Sequence, residues 1–280
     1  MMSIERTAGR RVDLEIAAHC QLRQRSGEGR TAKGTTVTTI IGIDCACDSR
    51  KTGIAVADYA SGRASVRYAA TGLSRDELGA MIVEVVARAT TVLLALDAPL
   101  GWPAALGDRL ASHRAGDPLA GSPDALFRRD TDRFVHRTVG RLPLDVGADR
   151  IARTAKAALD LLAEVRTATG QPIPLAWSPE LATGAWAIEV YPAATLKVHG
   201  ARDRGYKLPD AKRERREIVA VLGHLLDLPK DRSPLLGSAD ALDAVVCVLA
   251  AADFLSGRCT APTDWPTAER EGWIWVRGPA

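Results

Sequence analysis

Two apolar strands in this chain each end in an aspartate. Thr38-Thr39-Ile40-Ile41-Gly42-Ile43 runs into Asp44, Val92-Leu93-Leu94-Ala95-Leu96 runs into Asp97, and a further acidic pair, Asp240 and Asp243, opens a late apolar helix. A carboxylate at the tip of a buried strand is stripped of water and repelled by acidic neighbours, so several together call for something positive between them, usually a divalent metal.

The intervening pattern places these acids. Thr38 to Ile43, Gly53 to Asp58 and Ala64 to Ala70 read as a three-stranded meander, with turn signals at Asp48-Ser49-Arg50 and Ser61-Gly62. Ser74-Arg75-Asp76-Glu77 is a capping box, and Leu78, Met81, Ile82, Val85 and Val86 recur at helical spacing before the strand Val92 to Leu96. That crossover makes the fourth strand parallel to the first and brings Asp44 and Asp97 to one sheet edge, where open α/β sheets bind ligands. After Asp97-Ala98-Pro99 the region 101–184 is rich in Pro, Gly and Arg, with helical stretches near Ala125 to His136 and Ala148 to Thr169, and reads as an insertion or lid over the edge. Trp186 to Val190 is a short fifth strand carrying Glu189, and Asp210 to Leu226 a charged amphipathic helix on which Arg213, Arg215 and Arg216 with Glu214 and Glu217 form a solvated face. Ser238 is the N-cap of the late helix, and Asp240 and Asp243, three apart, share one face of its first turn. Gly272-Trp273-Ile274-Trp275-Val276 alternates as an edge strand or a strap on the core.

Composition excludes several classes. With 46% hydrophobic and 25% charged residues in 280, the chain suits one large soluble domain carrying an insertion. It has no run of eighteen uncharged apolar residues and no apolar signal core at the N-terminus, so the expected location is the cytoplasm, with no membrane partner. Cys20, Cys45, Cys47, Cys247 and Cys259 make no disulfide framework and read as reduced, mostly buried thiols. The five histidines lack zinc-ligand spacing. The net charge of +3 resides in residues 1–38, where seven basic side chains face four acidic ones, so 1–37 reads as a flexible basic tail and 38–280 as a neutral domain. Gly29 to Gly34 imitates a phosphate loop, but Thr35 stands where the lysine belongs and a strand follows rather than precedes it.

A meander, a crossover helix, two further strands and a late helix, with acids on strands one and four and on the helix, outline the ribonuclease H-like fold: a mixed five-stranded α/β sheet flanked by helices. Gly42-Ile43-Asp44, Ala95 to Gly101, Arg129-Asp130-Thr131-Asp132-Arg133, Glu189-Val190-Tyr191-Pro192, Tyr206-Lys207 and Asp240-Ala241-Leu242-Asp243-Ala244 follow one another as in the DUF429 family, which these blocks resemble over about residues 38–280. That family is described as predicted nucleases of this fold, and the Asp-x-x-Asp helix start also resembles the Holliday-junction resolvase branch. The resemblance implies a nuclease using Mg2+ or Mn2+ on DNA or RNA, with two ions bridging the phosphodiester. It casts Asp44 as the bridging ligand, Asp97 and Asp243 as flanking ligands, Asp240 as ligand or outer base, and Glu189 as a residue that binds metal or holds a basic side chain. Each has a plainer reading: Asp44 and Asp97 as turn residues, Asp240 as an acid favoured by the helix dipole, and Glu189 as a solvent-facing strand residue. Lys207 and Arg129 are surface or salt-bridging residues, or phosphate receivers if they line a pocket. Two other functions stay open: an ATP-dependent phosphotransferase of the actin and sugar-kinase type, and a non-catalytic nucleic-acid-binding or scaffold module. The first expects a glycine-rich turn after strand one, which Cys45 to Thr52 lacks. The Trp-rich C-terminus is a candidate homodimer interface.

Overall fold

The computed structural model describes residues 37–147 and 149–278, so the readings of the basic tail, Cys20 and Gly29 to Gly34 lie outside the described residues. Strands β1 (Thr38–Asp44), β2 (Gly53–Ala60) and β3 (Arg63–Ala70) form the antiparallel meander. The β2–β3 turn is closed by Ser61 and Gly62, both with positive φ (52° and 79°), the hand that matches the twist of a two-residue hairpin. Helix α1 (Arg75–Arg88) starts on the expected box: Ser74 Oγ accepts from the Glu77 backbone N–H, and the Glu77 carboxylate accepts from the Ser74 N–H. It buries Leu78, Met81, Ile82 and Val86 and returns the chain to β4 (Thr91–Asp97), parallel to β1.

Between β4 and β5 come α2 (Ala104–Leu110), α3 (Pro123–Phe127), α4 (Asp130–Val139) and α5 (Asp149–Thr169). The single helix expected from Ala125 to His136 is two, because Arg128 is extended and a new helix starts at Arg129, whose backbone N–H donates to the Asp132 carboxylate. Helix α5 packs on α1, where Arg75 forms a bidentate pair with Glu164. Strand β5 (Gly184–Glu189) is parallel to β4, which completes the order β3-β2-β1-β4-β5. Helices α6 (Pro192–Val198), α7 (Lys212–Leu225), α8 (Ser233–Gly237), α9 (Ala239–Leu255) and α10 (Trp265–Glu271) follow. Helix α9 is apolar on all sides because it is enclosed: Ala241 to Phe254 are buried, against β1, β2 and β3 on one side and α6 and α7 on others. An antiparallel meander joined to two parallel strands, with a buried late helix across the meander, is the ribonuclease H-like arrangement.

The C-terminal segment packs on the core as a strap. Trp275 donates its backbone N–H to the Glu189 carbonyl (3.0 Å), and Trp273 and Trp275 are each 4% exposed, packed on Phe134 and Phe254. Trp273 and Trp275 are thus covered by the chain's own core. Among the described residues no helix is long and apolar enough to cross a membrane. The four described cysteines are free, but only Cys247 is fully buried and Cys47 is exposed, so the thiols are less sheltered than the sequence suggests.

Candidate active site

Asp44 and Asp97 stand opposite each other in the β1–β4 register, both half-buried, at the C-terminal ends of the two strands. Asp243 comes in from α9 and is fully buried. The helix can approach this closely because two strand positions lack side chains. A Cβ on Gly42 would overlap the Ala244 carbonyl oxygen, and one on Gly53 would overlap that of Asp240. Ser238 fixes the first turn, its Oγ accepting from the backbone N–H groups of Asp240 (3.1 Å) and Ala241 (3.3 Å).

The acids share one electrostatic field. Burial, then the charges of Asp243 and Asp97, hold the Asp44 carboxyl well above the usual carboxylate range. Asp97 is pushed up to about 7, first by burial and then by Asp243, against the pull of Lys207 and of a side-chain hydrogen bond with Asp44. Burial also raises Asp243, although Lys207 and Tyr206 oppose it. Asp240, half-buried at the helix start, is raised by burial and by Asp243.

Two residues cover Asp243. Tyr206 Oη donates to Oδ1 (2.8 Å), and Lys207 Nζ lies 2.6 Å from Oδ2. The lysine approaches as an ion pair without hydrogen-bond geometry, so Oδ2 is a buried acceptor with no directed donor. Partial burial pulls the Lys207 ammonium down, but the charges of Asp243, Asp97 and Asp44 prevail and hold it above its ordinary value. Its side chain is still 58% exposed. Both residues ride on the loop between α6 and α7, which Arg215 secures by donating to the carbonyls of Tyr206 (2.8 Å), Leu208 (3.0 Å), Pro209 (3.3 Å) and Leu236 (2.8 Å). Arg215 is 3% exposed, a correction to the solvated face expected of it: it lies on the same stripe as Ile218, Val219 and Leu222 of α7, and four carbonyls replace its water. That i, i+3, i+4, i+7 spacing is the signal in the sequence that could have found it.

Glu189 and Arg129 belong to a neighbouring buried network. Arg129 is 1% exposed and forks onto both Glu189 oxygens (2.8 and 2.7 Å) and onto Asp132 (3.2 and 2.9 Å), while Glu189 also accepts from the Leu100 backbone N–H (3.0 Å). Of the alternatives for Glu189, the structure places it on a basic side chain, and it places Arg129 among carboxylates rather than on an open surface. Glu271, which no sequence motif marked, ties this network to α2 and α4 by accepting from the N–H groups of Ala104 (2.8 Å) and Asp130 (2.7 Å).

Asp44, Asp97, Glu189, Tyr191 and Lys207 border a cleft of about 550 Å³. Among the described residues no group of three or more His, Cys, Asp and Glu side chains is spaced to hold a metal ion as it stands. The donor chemistry nevertheless suits a hard cation: the cluster offers carboxylate oxygens alone, and Asp243 Oδ2 has only an ammonium beside it.

A family model described as "Protein of unknown function (DUF429)" matches residues 42–267, a span that contains every candidate residue named above. None of the curated proteins matches the chain. Among solved structures, T. thermophilus RuvC in complex with a Holliday junction substrate aligns over 78% of this chain and 97% of that one, at 12% identity and a TM-score of 0.32. A likeness that slight carries no information about the site.

Proposed function

The chain belongs to the DUF429 family, and we propose that it is a nuclease that hydrolyses phosphodiester bonds of DNA or RNA with Mg2+ or Mn2+ held by Asp44, Asp97 and Asp243. One observation carries this reading: three carboxylates from β1, β4 and α9 are gathered at the C-terminal edge of the sheet, the ionisation of all three suppressed by burial and that of Asp44 and Asp97 also by the neighbouring acids. Acids held together against their own repulsion imply a cation that the site is built to receive. Magnesium or manganese bound there would supply activation of water and charge stabilisation at the leaving oxygen.

The protein's own residues have separable parts in this reading. Asp44, between the other two acids, is the shared ligand, and Asp240 at the half-buried helix start is an outer ligand or base. Tyr206 orients Asp243. Lys207 stands in for the cation and, being exposed and on a loop, is free to move from Asp243 to a substrate phosphate when a metal enters. Glu189 and Arg129 position β5 and the Leu100 backbone beside Asp97 without reacting.

Purified protein is expected to cut a phosphodiester substrate with magnesium or manganese and much less with calcium, whose looser coordination does not hold water and phosphate in line. Asp44→Asn and Asp243→Asn should each remove nearly all cleavage, since ligands of one site act as a unit. Activity that persists in both variants would sink the proposal. The Lys207–Asp243 pair favours one rival, a non-catalytic binding module whose cluster is neutralised from within. Calorimetry separates the two, because that module would bind neither manganese nor magnesium.

A further inference from the structure

The cleft above the acids has two walls, and both are fastened. One belongs to the segment between β4 and β5 and presents Arg141, Pro143, Leu144, Ile151 and Thr154; the other is the 203–207 loop. The first wall is pinned to the body by Lys197 Nζ on the Gly140 carbonyl (3.1 Å) and by the Arg75–Glu164 fork, and is braced within itself by Arg128 on Asp145 (3.0 Å). Arg215 pins the second. The walls are also joined to each other, since Arg141 Nε lies 3.2 Å from Asp203 Oδ2 and its terminal nitrogen donates to the Asp203 carbonyl at 3.2 Å. These ties hold the two walls together beside the acids, an arrangement that favours a slender single strand over a rigid double helix.

The charges in the cleft point the same way. Arg129 is committed to Glu189 and Asp132 and Arg141 to Asp203, which leaves Arg204 and Lys207 to face a ligand. Arg204 is exposed and in no ion pair among the described residues. Duplex affinity grows with each neutralised phosphate, and two cations around one cleft serve one or two phosphates rather than a helical track. Beside them lie Tyr191, Pro143, Ile151 and Leu144, the last 70% exposed, surfaces of the kind on which an unpaired base packs. The volume of about 550 Å³ falls within the range of sites for small ligands.

We infer that the cleft takes one unpaired nucleotide of a single strand, with its phosphate toward Lys207 and the acids and its base against the Tyr191–Leu144 side, and that it excludes duplexes and four-way junctions. This rests on the nuclease reading and narrows it to a substrate class.

The test uses the full chain with manganese against short labelled single-stranded DNA and RNA, the same sequences as blunt duplexes, and an immobile four-way junction. Cleavage of at least one single strand should exceed that of its duplex and of the junction by about tenfold or more in kcat/KM. Arg204→Ala, a change at an exposed side chain, should raise KM for the single strand several-fold and leave kcat unchanged. Arg141→Ala, which unties the walls, should raise duplex cleavage relative to single-strand cleavage. Equal or faster cleavage of duplex or junction by the wild type would overturn this inference and leave the nuclease reading standing. Absence of cleavage on every substrate would overturn both.

Discussion

Lys207 decides how the carboxylate cluster exists without a metal. Its ammonium sits 2.6 Å from Asp243 Oδ2 and lowers the cost of charge on both Asp243 and Asp97, so it competes with any cation for the same oxygens. Lys207→Ala should therefore bind manganese more tightly than the wild type, by roughly tenfold, corresponding to about 1.4 kcal/mol of competition removed. Calorimetric titration reads this directly, and weaker or unchanged binding in the variant would mean that the lysine assists the metal rather than replacing it. The acids of this site were legible in the sequence because an aspartate closing an apolar strand, or buried in an apolar helix start, breaks a local pattern. Its partners were not. Tyr206 is marked in the sequence only as part of the Tyr206-Lys207 block and Arg215 only by its spacing with Ile218, Val219 and Leu222, and it takes the fold to put a hydroxyl on Asp243 and a guanidinium beneath the loop between α6 and α7. Glu189 and Arg129 lie 60 residues apart in the chain, a separation that no spacing rule connects.

Helix α9 places the third carboxylate, and two glycines govern how near it comes. With the Asp240 carbonyl oxygen occupying the space where a Gly53 Cβ would stand, Gly53→Ala must push the first turn of the helix away from β2. Such overpacking costs about 1–3 kcal/mol, and each kcal/mol lowers Tm by about 2–4 °C in a domain of this size. Gly79→Ala is the control: Gly79 lies inside α1 with open space around it, and the change should be neutral or raise Tm through better helix propensity. Gly53→Ala is also expected to weaken manganese binding, because Asp243 moves with the turn. Thermal melts that show the two variants equal would mean that α9 is not clamped at Gly53. The strands, α1 and α9 were readable because their apolar periodicity survives in the sequence. The region between β4 and β5 was less so: the break at Arg128 and Arg129 comes from the Asp132 carboxylate capping the Arg129 backbone N–H, and the Trp273–Trp275 alternation fits an exposed edge strand as well as the buried strap that it is.

Across the whole molecule the cluster couples stability to protons and to metal, with opposite signs. Asp97, ordinarily near 3.8, titrates in the folded protein at about 7, and Asp44 is also raised. Between those values the native state binds more protons than the unfolded chain, so the metal-free protein loses stability as pH rises from about 4 to about 7, and this contribution levels off above that. A divalent ion binds the ionised cluster, so the rise in Tm with magnesium should be small at the acid end of the window and grow as pH passes about 7. Asp44→Asn removes one of the repelling charges. At pH 8 it should melt a few degrees above the metal-free wild type, and magnesium should no longer shift it. Melting curves of both proteins across this pH range, with and without magnesium, check the signs together. Equal magnesium shifts in wild type and variant would remove Asp44 from the metal site, and a metal-free wild type that gained stability from pH 4 to 7 relative to Asp97→Asn would show that the carboxylates do not repel one another in the folded protein.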